Sequence, residues 1–223
     1  MDQPETPEPR RRPIRARQTR WAPAAAGALA RAGLRPNQIS VLSAVFAFVG
    51  AATLVVSGVS GDVPVRVASL LVAAGCIQLR LLCNLFDGLV AVEGGQRTPA
   101  GEIFNELPDR VSDLLLLAAA GYACRGSGWE LQLGWAAAAL AVAVAYVRAL
   151  GGQLGIAQQF CGPMAKQQRM AVLTVACVIT GAETILGWPL RTMTWALGLI
   201  VLGALVTAAR RTVRIVRELE SKP

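Results

Sequence analysis

Two short stretches carry the side chains best placed for chemistry. Arg80, Asn84, Asp87 and Ala91 fall at i, i+4, i+7 and i+11, and Gly101, Asn105, Asp109 and Asp113 follow one another at steps of four. Each set occupies one face of a helix. The connection between them is short, so the two helices are expected to be antiparallel neighbours, with Asn84 and Asp87 opposite Asn105 and Asp109. Four oxygen-bearing side chains would then converge, and Gly88 and Gly101 would leave backbone open to a closely approaching ligand. Hard oxygen donors without His or Cys suit Mg²⁺ or Mn²⁺ rather than zinc or copper, and magnesium favours substrate phosphates as co-ligands. A phosphate-bearing substrate is the expectation. The structural alternative is that Asp87, Asp109 and Asp113 merely pair with Arg80 and Arg110 to tie the helices together.

The rest of the chain says where this site must sit. Of 223 residues 54% are hydrophobic and only 16% charged, against about 25% charged in an average soluble domain. Histidine is absent, which excludes serine–histidine hydrolysis, the common zinc sites and phosphohistidine chemistry. Cys76, Cys83, Cys124, Cys161 and Cys177 have no ligand-like spacing and read as small buried hydrophobes. The net charge of +8 comes with 5% aromatic residues and no basic–aromatic module, so nucleic acid is not the expected partner.

A bilayer is. Six segments can cross hydrocarbon, which takes about 20 residues each: Ile39–Gly58, Val67–Val92, Ala100–Cys124, Leu133–Gly151, Met170–Leu186 and Thr192–Ala209. The fold class is therefore an all-α integral membrane protein of six transmembrane helices. Residues 1–19 read as a disordered basic tail and 20–36 as an interfacial amphipathic helix, with Trp21, Ala25, Ala28, Leu29 and Ala32 near one face. Residues 37–215 form the membrane domain and 216–223 a second tail. Sixteen of the 22 Lys and Arg residues fall in the tails and loops on the side of the termini. Both ends are thus expected in the cytoplasm, with the chain multi-pass in the cytoplasmic (inner) membrane.

The stretch Asn84-Leu-Phe-Asp87-Gly88-Leu-Val-Ala91-Val92, followed after eight residues by Gly101, Asn105 and Asp109, resembles the signature of the CDP-alcohol phosphatidyltransferase family, D-x2-D-G-x2-A-R-x8-G-x3-D-x3-D. Every interval agrees. Pro36-Asn37-Gln38-Ile39-Ser40 is similar to the element that opens the family's first span. The resemblance covers about residues 20–215. It implies a phospholipid-synthesising transferase that moves a phosphatidyl group from a CDP-linked lipid such as CDP-diacylglycerol to an alcohol acceptor, releasing CMP. It also implies a Mg²⁺ or Mn²⁺ cofactor and a homodimer. Carried onto this sequence, Asn84, Asp87, Asn105 and Asp109 become metal ligands, with Asp109 also the general base. Asn37, Ser40, Gly88, Ala91 and Gly101 face the cytidine diphosphate, and Arg148, Lys166 and Arg169 hold the acceptor.

Three positions depart from the signature. Asn84 and Asn105 stand where the family has aspartates, and Val92 where it has arginine. The site loses two formal negative charges, which weakens metal binding unless Glu93, Glu102, Glu106 or Asp113 makes up the charge, and Arg97 is the available substitute for the arginine. Two rival readings follow: a catalytically inactive membrane homologue, and an ion or solute transporter, since intramembrane carboxylates often mark ion pathways. The acceptor stays open among glycerol phosphate, inositol or its phosphate, serine, an amino alcohol and phosphatidylglycerol.

Overall fold

The computed structural model describes residues 21–93, 101–125, 128–157, 161–189 and 191–221. The expected tail of residues 1–19 and Arg97 lie outside them. The described chain is helical: α1 (Trp21–Arg31), α2 (Pro36–Val59), α3 (Val63–Glu93), α4 (Gly101–Ala123), α5 (Trp129–Gln153), α6 (Lys166–Leu186) and α7 (Thr192–Glu220). Pro36 opens α2 at the position where its missing N–H costs nothing, and Gly187 ends α6 in the left-handed conformation at φ 68°. Lipid-sized apolar side chains such as Phe48, Trp195 and Leu202 stay exposed on the outside of the bundle. A multi-pass integral membrane protein follows.

Five of the six expected spans are long and apolar enough to cross a membrane, α2 having a mean hydropathy of 2.4. The sixth, α4, is not, because Glu102, Glu106, Asp109, Arg110 and Asp113 crowd its first half. Its outward face nevertheless carries exposed Ile103, Leu107 and Val111 at steps of four, while Ser112 and Asp113 are buried inside. The polarity of α4 is turned inward.

The expected packing of the two site-bearing helices needs a correction. Among the described residues α3 and α4 do not pack closely on each other; α2 lies against both. Gly50 of α2 shows why α2 can: a Cβ there would stand 3.1 Å from Cys76 of α3 on one side and 3.1 Å from Leu116 of α4 on the other. A helix without charge and with small residues at its contact face slides between its neighbours more closely than two charged helices can. The antiparallel sense holds, since the start of α3 meets the end of α4 and Asn84 meets Asp109. The face of α1 also differs from expectation. Ala22 is buried, and Ala26 is buried against Ile39, Cys83 and Val90 with Leu29 partly so, whereas Ala28 and Ala32 are exposed. An alanine-rich helix has two nearly equivalent sides, and the contact with α3 selects one.

At the end of the bundle away from Asp87 and Asp109, Arg66 is 6% exposed and joins three helices. Its guanidinium donates to the carbonyls of Ser57 at 2.7 Å and Ala123 at 3.1 Å, at the ends of α2 and α4, and to the Thr184 hydroxyl of α6 at 3.0 Å. These carbonyls have no partner within their own helices. Arg66→Leu is expected to lower stability by about 2 kcal/mol, the scale of stranding buried acceptors of a charged donor, seen as a lower thermal midpoint in detergent. An unchanged midpoint would remove Arg66 from the structure's supports.

Candidate active site

The polar cluster is built by four helices at one end of the bundle. From α2, the Ser40 hydroxyl donates to Asp87 Oδ2 at 2.9 Å, and the Ser43 hydroxyl donates to Asn84 Oδ1 at 2.9 Å. From α3, Asn84 Nδ2 donates to Asp109 Oδ1 of α4 at 2.8 Å. Arg80, fully buried one turn earlier, donates through Nη2 to Asp113 Oδ1 at 2.6 Å and to the Asp109 carbonyl at 3.2 Å. From α6, Lys166 forms an ion pair with Asp109 Oδ2, and Arg169 donates to Asp113 Oδ2 at 2.7 Å and to the Met164 carbonyl at 3.0 Å. Side chains thus bridge the space that the backbones of α3 and α4 leave between them.

These contacts answer the sequence expectations residue by residue. Asp87, Asn84 and Asp109 are brought together, with Ser40 beside them and Gly88 partly buried next to Asp87. Asn37 is partly buried in the first turn of α2. The side chains of Ala91, Glu93, Glu102 and Asn105, and the Gly101 position, lie outside what the structure describes at side-chain level. Asp113 is held by Arg80 and Arg169. Each of the three cations expected at the acceptor already has a carboxylate: Lys166 has Asp109, Arg169 has Asp113, and Arg148 donates to both oxygens of Glu106 at 2.7 and 2.6 Å. Glu106 also pairs with Arg110 within α4.

The sequence reading missed Ser43. Its signal was available, since Ser40 and Ser43 are spaced by three on the otherwise apolar start of α2. The cavity beside the far end of α7 was missed too. It encloses about 760 Å³ lined by Gly162, Val213, Arg210, Arg214 and Arg217. α7 runs past the expected span end at Ala209 because Arg211 is buried and donates to the carbonyls of Val144 and Cys161, both at 3.0 Å.

Whether these residues fit a divalent cation can be judged from their free valences. Asp87 is 4% exposed, yet its Oδ1 is buried with no hydrogen-bond partner. A buried carboxylate oxygen without a donor is costly, and a cation is the natural occupant. Asp109 and the Asn84 carboxamide are nearby oxygen groups, and no nitrogen or sulfur ligand belongs to the set. The donor chemistry fits a hard ion such as Mg²⁺ or Mn²⁺. The charge fits fewer ions than a four-aspartate site would, because Arg80 and Arg169 both pair with Asp113 and Lys166 pairs with Asp109, while Asp87 has only the Ser40 hydroxyl. Among the described residues no three acidic or cysteine side chains are grouped closely enough to hold one metal ion between them.

No family model matches the chain. Over 196 residues, 83% of this chain and 79% of the other, it is 26% identical to a phosphatidylinositol phosphate synthase of Mycobacteroides abscessus. Its fold superposes on the crystal structure of the phosphatidylinositol phosphate synthase of Mycobacterium tuberculosis with CDP-DAG bound, at a TM-score of 0.70 and 18% identity, covering 88% of this chain and 94% of that one. A structure of the same enzyme in complex with manganese and citrate gives 0.69 and 18%, covering 87% and 88%.

The Arg80–Asp113–Arg169 bridge carries its own prediction. Asp113→Asn removes the charge that two buried guanidiniums share and is expected to cost roughly 3–5 kcal/mol, the range for breaking a buried pair. The check is the thermal midpoint of the purified protein, with Asp62→Asn, at the exposed residue just before α3, as the control expected to move it far less.

Proposed function

The chain belongs to the CDP-alcohol phosphatidyltransferase family, and on that footing we propose that it transfers a phosphatidyl group from CDP-diacylglycerol to an alcohol acceptor, with release of CMP. The observation that carries this reading is that Asp109 meets Asn84 across the space between α3 and α4, while Asp87, the other acidic position retained from the family signature, lies three residues further along α3 and is held by Ser40. The crystallised relative named with bound CDP-DAG has the same fold, which supports a CDP-linked lipid as donor.

The residues divide the work by position. Asp109 is partly exposed and lies at the mouth of the cluster, where it takes the proton from the acceptor hydroxyl. The freed oxygen forms a bond to the lipid-side phosphorus as the bond from that phosphorus to the CMP oxygen breaks. Lys166, paired with Asp109, places an ammonium beside the reacting atoms and meets the diphosphate. Asp87 and Asp109 would hold Mg²⁺ or Mn²⁺, whose charge when bound offsets that of the departing phosphate. Ser40 keeps one oxygen of Asp87 occupied and so leaves the other turned to the ligand. Glu106, Arg110 and Arg148 border the same end of the bundle, on the side from which an acceptor enters.

Lys- and Arg-rich segments flank this end, so the reading puts the site at the cytoplasmic face of the inner membrane, with both termini on that side. It also takes the protein as a homodimer, following the family resemblance. Membranes containing the chain, supplied with CDP-diacylglycerol and a panel of alcohols, are expected to release CMP only with Mg²⁺ or Mn²⁺. Asp109→Ala should lower that rate by at least about a hundredfold, the usual worth of a general base. Mass spectrometry of the lipid formed identifies the acceptor. Absence of metal-dependent CMP release from the parent protein across the panel would sink the assignment, as would an Asp109→Ala variant with the parent's rate.

A further inference from the structure

Asn84 occupies a position where the family signature carries an aspartate, and its contacts are those of a hydrogen-bond donor. We propose that Asn84 is a positioning residue for Asp109, supported by Ser43, and that the site is built for asparagine rather than weakened by it. The inference deepens the transferase reading and rests on it.

Three observations carry it. First, the carboxamide is engaged at both ends: Oδ1 accepts from Ser43, which is 1% exposed, and Nδ2 donates to Asp109 Oδ1 at 2.8 Å. Asp109, an acceptor only, selects the amino end of the amide, and the Ser43 hydroxyl supports that orientation by donating to Oδ1. An aspartate could accept from Ser43 but has no hydrogen to give Asp109.

Second, Asp109 is held from two sides. Asn84 takes Oδ1 and Lys166 takes Oδ2, while Arg80 stands 3.6 Å from Oδ1 and binds the Asp109 carbonyl. That grip orients the carboxylate of the proposed base. Third, α3 and α4 do not pack closely, so the Asn84–Asp109 bond is one of the few links across that space. A carboxylate at position 84 would set two negative oxygens at hydrogen-bond distance in a site whose cations are already committed to other carboxylates. At low dielectric that repulsion is large. The aspartate form needs an extra cation to close, and the asparagine form does not.

The full-length protein in proteoliposomes tests this with Asn84→Asp, Asn84→Ala and Ser43→Ala. With CDP-diacylglycerol and the acceptor identified for the parent, Asn84→Asp and Asn84→Ala are expected to lower kcat at least about tenfold, the scale of one lost charge-assisted hydrogen bond, with KM for the lipid within about twofold. Ser43→Ala should lower kcat less. A residue that only supports the fold would not give this split between kcat and KM. The second readout needs no turnover: thermal midpoints in EDTA and with added Mn²⁺. Asn84→Asp should be less stable than the parent in EDTA and should recover with Mn²⁺ more than the parent gains. If Asn84 is a degraded metal ligand, Asn84→Asp instead raises kcat, lowers the Mn²⁺ needed for half activity and is as stable as the parent in EDTA; any of these overturns the proposal. Should the parent show no transferase activity, the transferase reading fails by itself, and the EDTA midpoints still decide whether asparagine is the residue the site requires.

Discussion

Charge taken out of water has to be neutralised where it lies, and in this protein that requirement organises everything at one end of the bundle. Arg80 is fully buried, and Asp113 and Arg169 nearly so, in a structure whose outer surface is apolar. Isolated, any of them would cost several kcal/mol in a bilayer. Shared between α3, α4 and α6, they become a bridge: one carboxylate accepts from two guanidiniums on different helices. Asn84, Asp109 and Lys166 form a parallel set nearer the surface. The inner set holds the helices in place, and the outer set has the access that a reaction needs.

The packing elsewhere can be read as what permits this arrangement. α4 meets α5 where Gly121 and Gly134 face each other, and a Cβ at Gly134 would come within 2.8 Å of the Gly121 Cα. Such close backbone approach supplies the van der Waals contact that joins helices in lipid, where the hydrophobic effect between them is weak. Because α2, α4 and α5 are joined in this way, and α3 to α2, the space between α3 and α4 need not be closed by apolar packing. It can be spanned by polar side chains. Arg66 performs the corresponding task at the opposite end by gathering the carbonyl-bearing ends of α2 and α4.

Against the mycobacterial synthases, the chain keeps the fold over most of its length at low identity. The carboxylates at 87 and 109 come with asparagines at 84 and 105, and Lys166 reaches Asp109 from α6. A site that carries its own counter-charges asks less of a bound cation than one made of carboxylates alone. On the proposed reading, the asparagine at 84 is coherent with the charges that surround it.

Much of this was legible in the residues themselves. Apolar runs of membrane length, the absence of histidine and the helical spacing of Arg80, Asn84, Asp87, Asp109 and Asp113 determine a helical membrane protein with a one-ended oxygen-rich cluster, because hydropathy and helix period are local properties. The interval pattern from Asn84 to Asp109 was enough to suggest the family. Partner choice was not legible. That Asp113 takes Arg80 and Arg169, that Lys166 takes Asp109, and that Ser43 supports the Asn84 amide as it faces Asp109 depend on how α2 and α6 lie against α3 and α4. Those contacts join residues dozens of positions apart, Arg169 and Asp113 being separated by 56, and only the packed bundle decides which of several possible counter-charges is within reach. The same holds for α1, whose alanines offer two similar faces until α3 is there to choose between them.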